Sequence, residues 1–457
     1  MPSTGSSVRT PSRPSRQRAL RPARTVFSAF AAAEILGTAT LLLPIASSED
    51  GSATFMDALF TATSALCVTG LITVDTPVHW TTFGHAVILV LIQIGGFGVM
   101  TFASVVGLAV VRKLSFRSKV AAAAEAKSVG LDDVRALVVG IVRISLTIEV
   151  VVAALLALRF ATAYDESWGR AVWLGVFHSV SSFNNAGFAL FSDSIIGFVG
   201  DPWICLPMCA AIILGGLGFP VIVQLRKHLR TARLWTMNTR LVLFGTVVLL
   251  LGGTVFITVL EWSNPATFGS LPWHDRLLAG FFQSVQTRTA GFNSIDVSQM
   301  DTATWLGMDV LMFIGAGPAG TAGGIKITTF AVLLFIIVTE IRGEAAVNIF
   351  GKRLSRSVHR QAIAVALVAV ALVVVSTIAL MLMTDFSLDE ILFEVVSAFA
   401  TVGLSTGITA DVPAAGQLIL IALMFLGRLG PITFAAALAF RDRRRVYELP
   451  KERPIIG

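Results

Sequence analysis

Charge is scarce in this chain: Asp, Glu, Lys and Arg make up 14% of its 457 residues, while 55% are hydrophobic. A soluble domain carries about 25% charge, so an ordinary water-soluble globule is excluded. Cysteine is nearly absent. Cys67, Cys205 and Cys209 form no CxxC pair, which rules out a disulfide-stapled scaffold and a zinc ribbon. Cys205 and Cys209 lie four apart in an apolar helix with no His or acid beside them, a pattern that fits packing. The six histidines are scattered through chain ends and loops, leaving no Ser/His or acid constellation for an intramembrane hydrolase or lipid-phosphate transferase. The first 24 residues contain no acid and no apolar core ahead of a small-residue cleavage site. They read as a disordered basic cytoplasmic tail, not a signal peptide.

Apolar length is abundant instead. Runs such as 86–111 and 361–383 exceed the ~20 residues that span hydrocarbon. Of 35 Lys and Arg, 28 fall in five segments: 1–24, 112–135, 226–240, 341–360 and 441–457. The polar stretches between them are acidic, so the positive-inside rule places the five basic segments and both termini in the cytoplasm. The net charge of +7 therefore reports topology. No basic module with interleaved aromatics is present, so nucleic acid is not expected as a partner.

The basic segments divide residues 25–440 into four units, near 25–111, 136–225, 240–340 and 360–440, followed by a C-terminal tail at 441–457. Each unit must leave the cytoplasm and return, yet each holds three apolar stretches. The middle one is too short to span and suits a re-entrant helix, near 55–66, 171–183, 277–287 and 388–399. These stretches end in loops that share one residue type. The first is Cys67, Val68, Thr69, Gly70; the second Asn184, Asn185, Ala186, Gly187. The third is Arg288, Thr289, Ala290, Gly291; the fourth Ala400, Thr401, Val402, Gly403. Aligned without gaps on the glycines, Phe60, Phe177, Phe281 and Phe393 fall in one column, which marks an internal repeat. Ser64, Ser181 and Ser397 form a second column, broken by Val285. The returning helices carry GGFG (95–98), GGLG (215–218), GAGP (315–318) and GRLG (427–430), beginning 24 to 28 residues past each loop glycine.

The expected fold is an all-α membrane protein. It has four helix–pore loop–helix repeats around a pseudo-fourfold pore, with eight transmembrane helices and four re-entrant pore helices. Loop carbonyls converging on the axis can replace the hydration shell of a monovalent cation. Glycine permits the backbone angles that turn carbonyls inward, and the C-terminal ends of the short helices favour positive charge. Asn184, Asn185, Thr69, Thr289 and Thr401 are expected to brace the loops. Arg288 is expected to point away from the axis, pairing behind the filter or at the outer mouth, with Asp296 or another extracellular acid as a candidate partner.

Two further cations sit within apolar runs. Residues 315–330 contain Gly315, Gly317, Pro318, Gly320, Thr321, Gly323, Gly324 and Lys326. A helix here must break, and the freed backbone is tolerable where it lines a cavity, so a gate is expected. The GGIKI sequence lacks the GK[ST] ending of a phosphate-binding loop. Arg428 lies at the same depth and is expected to face the axis as an electrostatic barrier, with an interhelical salt bridge as the alternative. Glu34 and Glu149 read as interhelical hydrogen-bonding groups.

The motifs QTRTAGFNSID (286–296), GPAGTAGGIKITTF (317–330) and FLGRLGPITF (425–434) resemble those of the Ktr/Trk/HKT potassium-uptake superfamily, nearest its KtrB-type membrane subunit. The resemblance covers roughly residues 25–440 and implies K⁺ uptake across the plasma membrane. It places the family's filter glycines on Gly70, Gly187, Gly291 and Gly403, its gating loop on 315–324 and its pore arginine on Arg428. It also implies a homodimer seated on a cytoplasmic, KtrA-like ring of RCK-type nucleotide-binding subunits, with the basic loops and C-terminal tail as docking surfaces. ATP or ADP would then bind the partner. No cofactor is expected on this chain, and K⁺ is substrate. Glycine in the first loop, where some plant relatives carry serine and pass Na⁺, favours K⁺. A Na⁺- or H⁺-coupled symporter and a Na⁺-permeable relative stand as alternatives.

Overall fold

The computed structural model describes residues 17–48, 53–118 and 131–440. Residues 1–16 of the expected tail at 1–24, the whole expected tail at 441–457, and residues 119–130 of the second basic segment lie outside the described residues. Fifteen α-helices make up most of the described chain. The first unit holds α1 (Gln17–Leu41), α2 (Phe55–Cys67), α3 (Thr76–His79) and α4 (Thr82–Ser118). The second holds α5 (Leu131–Ala163), α6 (Trp168–Asn184), α7 (Pro202–Leu217) and α8 (Phe219–His228). The third holds α9 (Met237–Glu261), α10 (Trp273–Gln286), α11 (Thr302–Ile314) and α12 (Ile327–Ile341). The fourth holds α13 (Arg356–Met381), α14 (Leu388–Ala400) and α15 (Ala414–Phe440). A two-residue hairpin, β1 (Asn348–Ile349) and β2 (Lys352–Arg353), lies in the fourth basic segment. Helix α1 begins at Gln17, eight residues ahead of the boundary that composition suggested at 25.

By length and composition, four helices can cross a membrane: Thr82–Ser104, Arg135–Ala163, Met237–Glu261 and Arg356–Met381. The pair α7 and α8 would make a fifth if taken as one span, but it is bent by 99° at Gly218. Among the described residues, two of the eight stretches expected to span are interrupted, and a break was expected in one of them, the third returning segment. The third returning segment is split between α11 and α12, and the second turns sharply at a glycine with φ of +88°. On α9, Val247, Leu251, Val255 and Val259 recur every fourth residue, each more than half exposed. An apolar stripe of that size on the outer face of a bundle suits lipid and not water.

Local sequence signals explain the short helices. Ser387 and Glu390 form a reciprocal capping box at the start of α14, and Thr54 caps α2. Three of the four end in a left-handed residue, Val68, Asn185 or Thr401. Phe60, Phe177 and Phe393 are fully buried. In the third unit the buried ring is Phe282, and Phe281 is only partly buried. The gapless alignment therefore slips by one residue there. The N–H before the glycine bonds five residues back in Thr69–Ser64, Ala186–Ser181 and Val402–Ser397, but four back in Ala290–Gln286. Two consecutive phenylalanines concealed the shorter spacing.

Candidate functional site

The four loops meet at their glycines. A Cβ built on Gly70 would lie 2.5 Å from the carbonyl of Ala186 and 3.0 Å from Gly187 Cα. One on Gly187 would lie 2.9 Å from Ala290 O and 3.0 Å from Gly291 Cα. On Gly291 it would run into Val402 O, and on Gly403 into Thr69 O, which closes the circuit. Each glycine thus abuts the carbonyl just before the glycine of the next loop, in the order 70, 187, 291, 403. Their φ values are +96°, +70°, +81° and +96°, so only glycine fits both the space and the backbone.

The residues two positions earlier are also left-handed: Val68, Asn185, Thr289 and Thr401, with φ from 51° to 71°. Three of these are β-branched, for which positive φ is a genuine outlier. Sequence gave no sign of it, because Val and Thr disfavour the conformation; the packing around the loops imposes it, at roughly 1–3 kcal/mol each. Alternate residues of opposite hand point successive carbonyls toward the same side.

Each loop is braced from behind. Ser64 Oγ accepts the N–H of Gly70 at 3.0 Å, and Ser397 Oγ accepts that of Gly403 at 3.1 Å. Ser181 Oγ instead donates to Phe188 O at 2.8 Å. In the shortened third loop, Gln286 Oε1 takes over and accepts from Phe292 N–H at 3.2 Å. The returning helices supply a second support. At Gly95, Gly215 and Gly427 a side chain would strike the carbonyl of Leu66, Phe183 or Phe399, each four residues before a loop glycine. These are the first glycines of GGFG, GGLG and GRLG.

Below the ring lies the irregular segment 315–326. It opens at Gly315 (φ +62°), includes Ala319 and Gly324 at positive φ, and ends at Lys326 (φ +66°). Backbone hydrogen bonds dock it on α7, from Gly317 N to Gly216 O (2.8 Å) and from Thr321 N to Gly215 O (3.1 Å). Lys326 Nζ donates back to the carbonyls of Ala322 and Gly323. Arg428, buried on α15, donates to Thr321 O and, at 3.4 Å, to Gly95 O. Its hydrogen bonds therefore go to backbone of the broken segment and of α4, and among the described residues it makes no ion pair. Arg288 takes one of its two expected placements, behind its loop, with a carbonyl as its partner. Its Nη2 donates to Gly315 O at 3.3 Å, whereas Asp296 accepts from Ser298. The carbonyl that meets it is released where α11 ends.

The chain matches the family model "TrkH: Cation transport protein" over residues 6–443. It belongs to the TrkH family of cation transport proteins. Among its relatives, the Ktr system potassium uptake protein B of Bacillus subtilis is 38% identical over 412 residues, covering 90% of this chain and 92% of that protein. The protein of the same name from Vibrio alginolyticus is 40% identical over 425 residues, 93% and 92% of the two chains. The potassium/sodium uptake protein NtpJ of Enterococcus hirae is 34% identical over 447 residues, 96% and 98%. The fold is similar to the crystal structure of the potassium transporter TrkH from Vibrio parahaemolyticus, with a TM-score of 0.73 at 16% identity over 92% of this chain and 84% of that one. The Ktr/Trk resemblance read from three motifs is met by relatives along almost the whole chain, and the protein is a multi-pass membrane protein of a transporter family.

In this TrkH-family chain all four glycines also line one cavity of about 630 Å³ on the side of the ring away from the broken segment. Its wall includes Asp75, Asp193 and Asp296 and, among the described residues, no Lys or Arg. Only Asp296 was singled out from sequence, and in a different role. A usable signal was present: the three acids follow their glycines by five, six and five residues. Behind the second loop, Asn184 Nδ2 donates to Gln93 Oε1 (2.8 Å) and Glu149 Oε1 (3.2 Å), while Gln93 Nε2 donates to both Glu149 oxygens. Glu34 accepts from Thr63 Oγ1 at 2.7 Å. Both acids serve as interhelical acceptors. Asn185 and Thr289 bond to the broken segment, while the hydroxyls of Thr69 and Thr401 have no hydrogen-bond partner among the described residues. The three cysteines are buried free thiols.

Proposed function

We propose that this chain takes up K⁺ across the plasma membrane through the ring of four glycine loops, which acts as its selectivity filter. The observation that carries the reading is the closed circuit of glycines and neighbouring carbonyls, opening onto a cavity walled by three carboxylates and, among the described residues, no Lys or Arg. Carboxylates concentrate cations at the mouth. Loop carbonyls exchange for the hydration shell of the ion, and the C-terminal ends of α2, α6 and α14 add partial negative charge. The architecture is four helix–pore loop–helix units, with both termini cytoplasmic.

Passage is controlled by segment 315–326, which Arg428 and Lys326 hold in place below the ring. Arg428 sets a positive barrier there and anchors the segment to α4. The relatives named Ktr system uptake protein B support assignment as the membrane subunit of a two-component system. In that arrangement a homodimer rests on a cytoplasmic RCK-type nucleotide-binding ring, which carries ATP or ADP. The Enterococcus hirae relative is named for both potassium and sodium, which keeps Na⁺ as a second permeant or coupled ion.

Expression in a K⁺-uptake-deficient cell, together with the regulatory subunit, should restore growth at low K⁺. Failure of rescue with the protein present in the membrane would overturn the K⁺ assignment. Flux measured without Na⁺ and across a pH series separates passive permeation from coupling: passive uptake persists in both.

A further inference from the structure

The four loops are not held in the same way. Loops one and four are braced within their own units, since Ser64 and Ser397 take the N–H of Gly70 and Gly403. Loops two and three keep different internal braces, Ser181 Oγ to Phe188 O and Phe292 N–H to Gln286 Oε1, neither of which takes the N–H of the loop glycine, and both are also tied to the broken segment. Thr321 Oγ1 donates to Asn185 Oδ1 at 2.9 Å, and Gly323 N–H donates to Thr289 Oγ1 at 3.2 Å. Arg288 Nη2 reaches Gly315 O at 3.3 Å. All of these groups are buried. Asn185 and Thr289 are the left-handed residues of their loops, where the backbone depends most on its surroundings.

We infer that Thr321 and Arg288 determine ion selectivity from outside the ring, because displacement of segment 315–326 releases two of the four loops. The inference rests on the reading of the ring as a selectivity filter. Opening the gate and keeping the filter narrow are then one coupled variable. Moving the segment removes the acceptor of Arg288 and the tethers of Asn185 and Thr289, leaving the glycines of the second and third loops without the N–H brace that Ser64 and Ser397 give the first and fourth. Selectivity is accordingly sharpest when the segment is docked and declines as it moves away. Thr321 is a positioning residue here, acting through Asn185.

The test is the ratio of ⁸⁶Rb⁺ to ²²Na⁺ uptake into proteoliposomes holding the full chain. Thr321→Val keeps the shape and removes the donor. The ratio should fall roughly five-fold, the scale of one buried hydrogen bond, and Thr321→Ser should return it to the wild-type value, which a merely structural role would not produce. Thr289→Val, which removes the acceptor for Gly323 N–H, is read in parallel and decides the matter if Thr321→Val does not reach the membrane. An unchanged ratio in these variants, while Gly70→Ser lowers it, overturns the coupling and leaves the filter intact. An unchanged ratio in Gly70→Ser as well overturns the filter reading and this inference with it.

Discussion

Substituting Gly70 by serine tests the ring at one of its four joints. The backbone there has φ of +96°, which costs a residue with a Cβ on the order of 1–2 kcal/mol. The new Cβ would also lie 2.5 Å from Ala186 O and 3.0 Å from Gly187 Cα, about 1 Å inside a comfortable carbon contact. The added side chain cannot swing away, because the overlap is at Cβ itself and the obstacle is backbone. Relief comes only by moving the second loop outward by several tenths of an ångström. That movement displaces a carbonyl which, in the proposed mechanism, replaces water around K⁺. Losing about 1.4–2.8 kcal/mol of preference for K⁺ over Na⁺ lowers the permeability ratio ten- to a hundred-fold. Reconstituted protein and competitive ⁸⁶Rb⁺ and ²²Na⁺ uptake measure this directly. Gly70→Ala should behave similarly, since the clash begins at Cβ and owes nothing to the hydroxyl. A ratio within two-fold of wild type, with the protein folded in the membrane, would refute the carbonyl-ring mechanism.

Two further outcomes address the mouth and the gate. Replacing Asp75, Asp193 and Asp296 together by asparagine should raise KM for K⁺ about ten-fold at low ionic strength with little change in maximal rate. The difference should shrink at physiological salt, where screening acts over about 8 Å; an unchanged KM in dilute buffer would show that the carboxylates do not gather ions. Arg428→Ala removes charge-assisted hydrogen bonds to Thr321 O and Gly95 O, and a loss of roughly 2 kcal/mol from the docked state of the segment should raise flux about thirty-fold. Reduced flux at normal membrane levels would instead make the arginine a support of the pore.

Much of this arrangement was legible because it depends on residue types with few alternatives. A glycine at the end of each of four short apolar helices, and a proline among glycines within an apolar run, are hard to place in any other way. The short helices fall within a few residues of their expected limits. Other features depended on geometry that composition does not carry. The third loop is one residue shorter, and Phe281 beside Phe282 hid the slip from a gapless alignment, so the support offered by Gln286 was misread as a gap at Val285. Positive φ at Val68, Thr289 and Thr401 is imposed against local preference by surrounding packing. The acceptor of Arg288 is a carbonyl freed where α11 ends, a feature no residue type announces. The bend at Gly218 rests on its positive φ, which a GGLG sequence does not dictate.

The circuit of four unlike loops lies within one polypeptide, and that changes what a single substitution can do. Where identical subunits share one gene, every mutation strikes all sides of an ion pathway together. Here a base change alters one quarter of the circumference and spares the rest. If the ring is the proposed filter, ion preference can be adjusted in small increments, and each side can acquire a separate duty, as the second and third have in their attachment to segment 315–326.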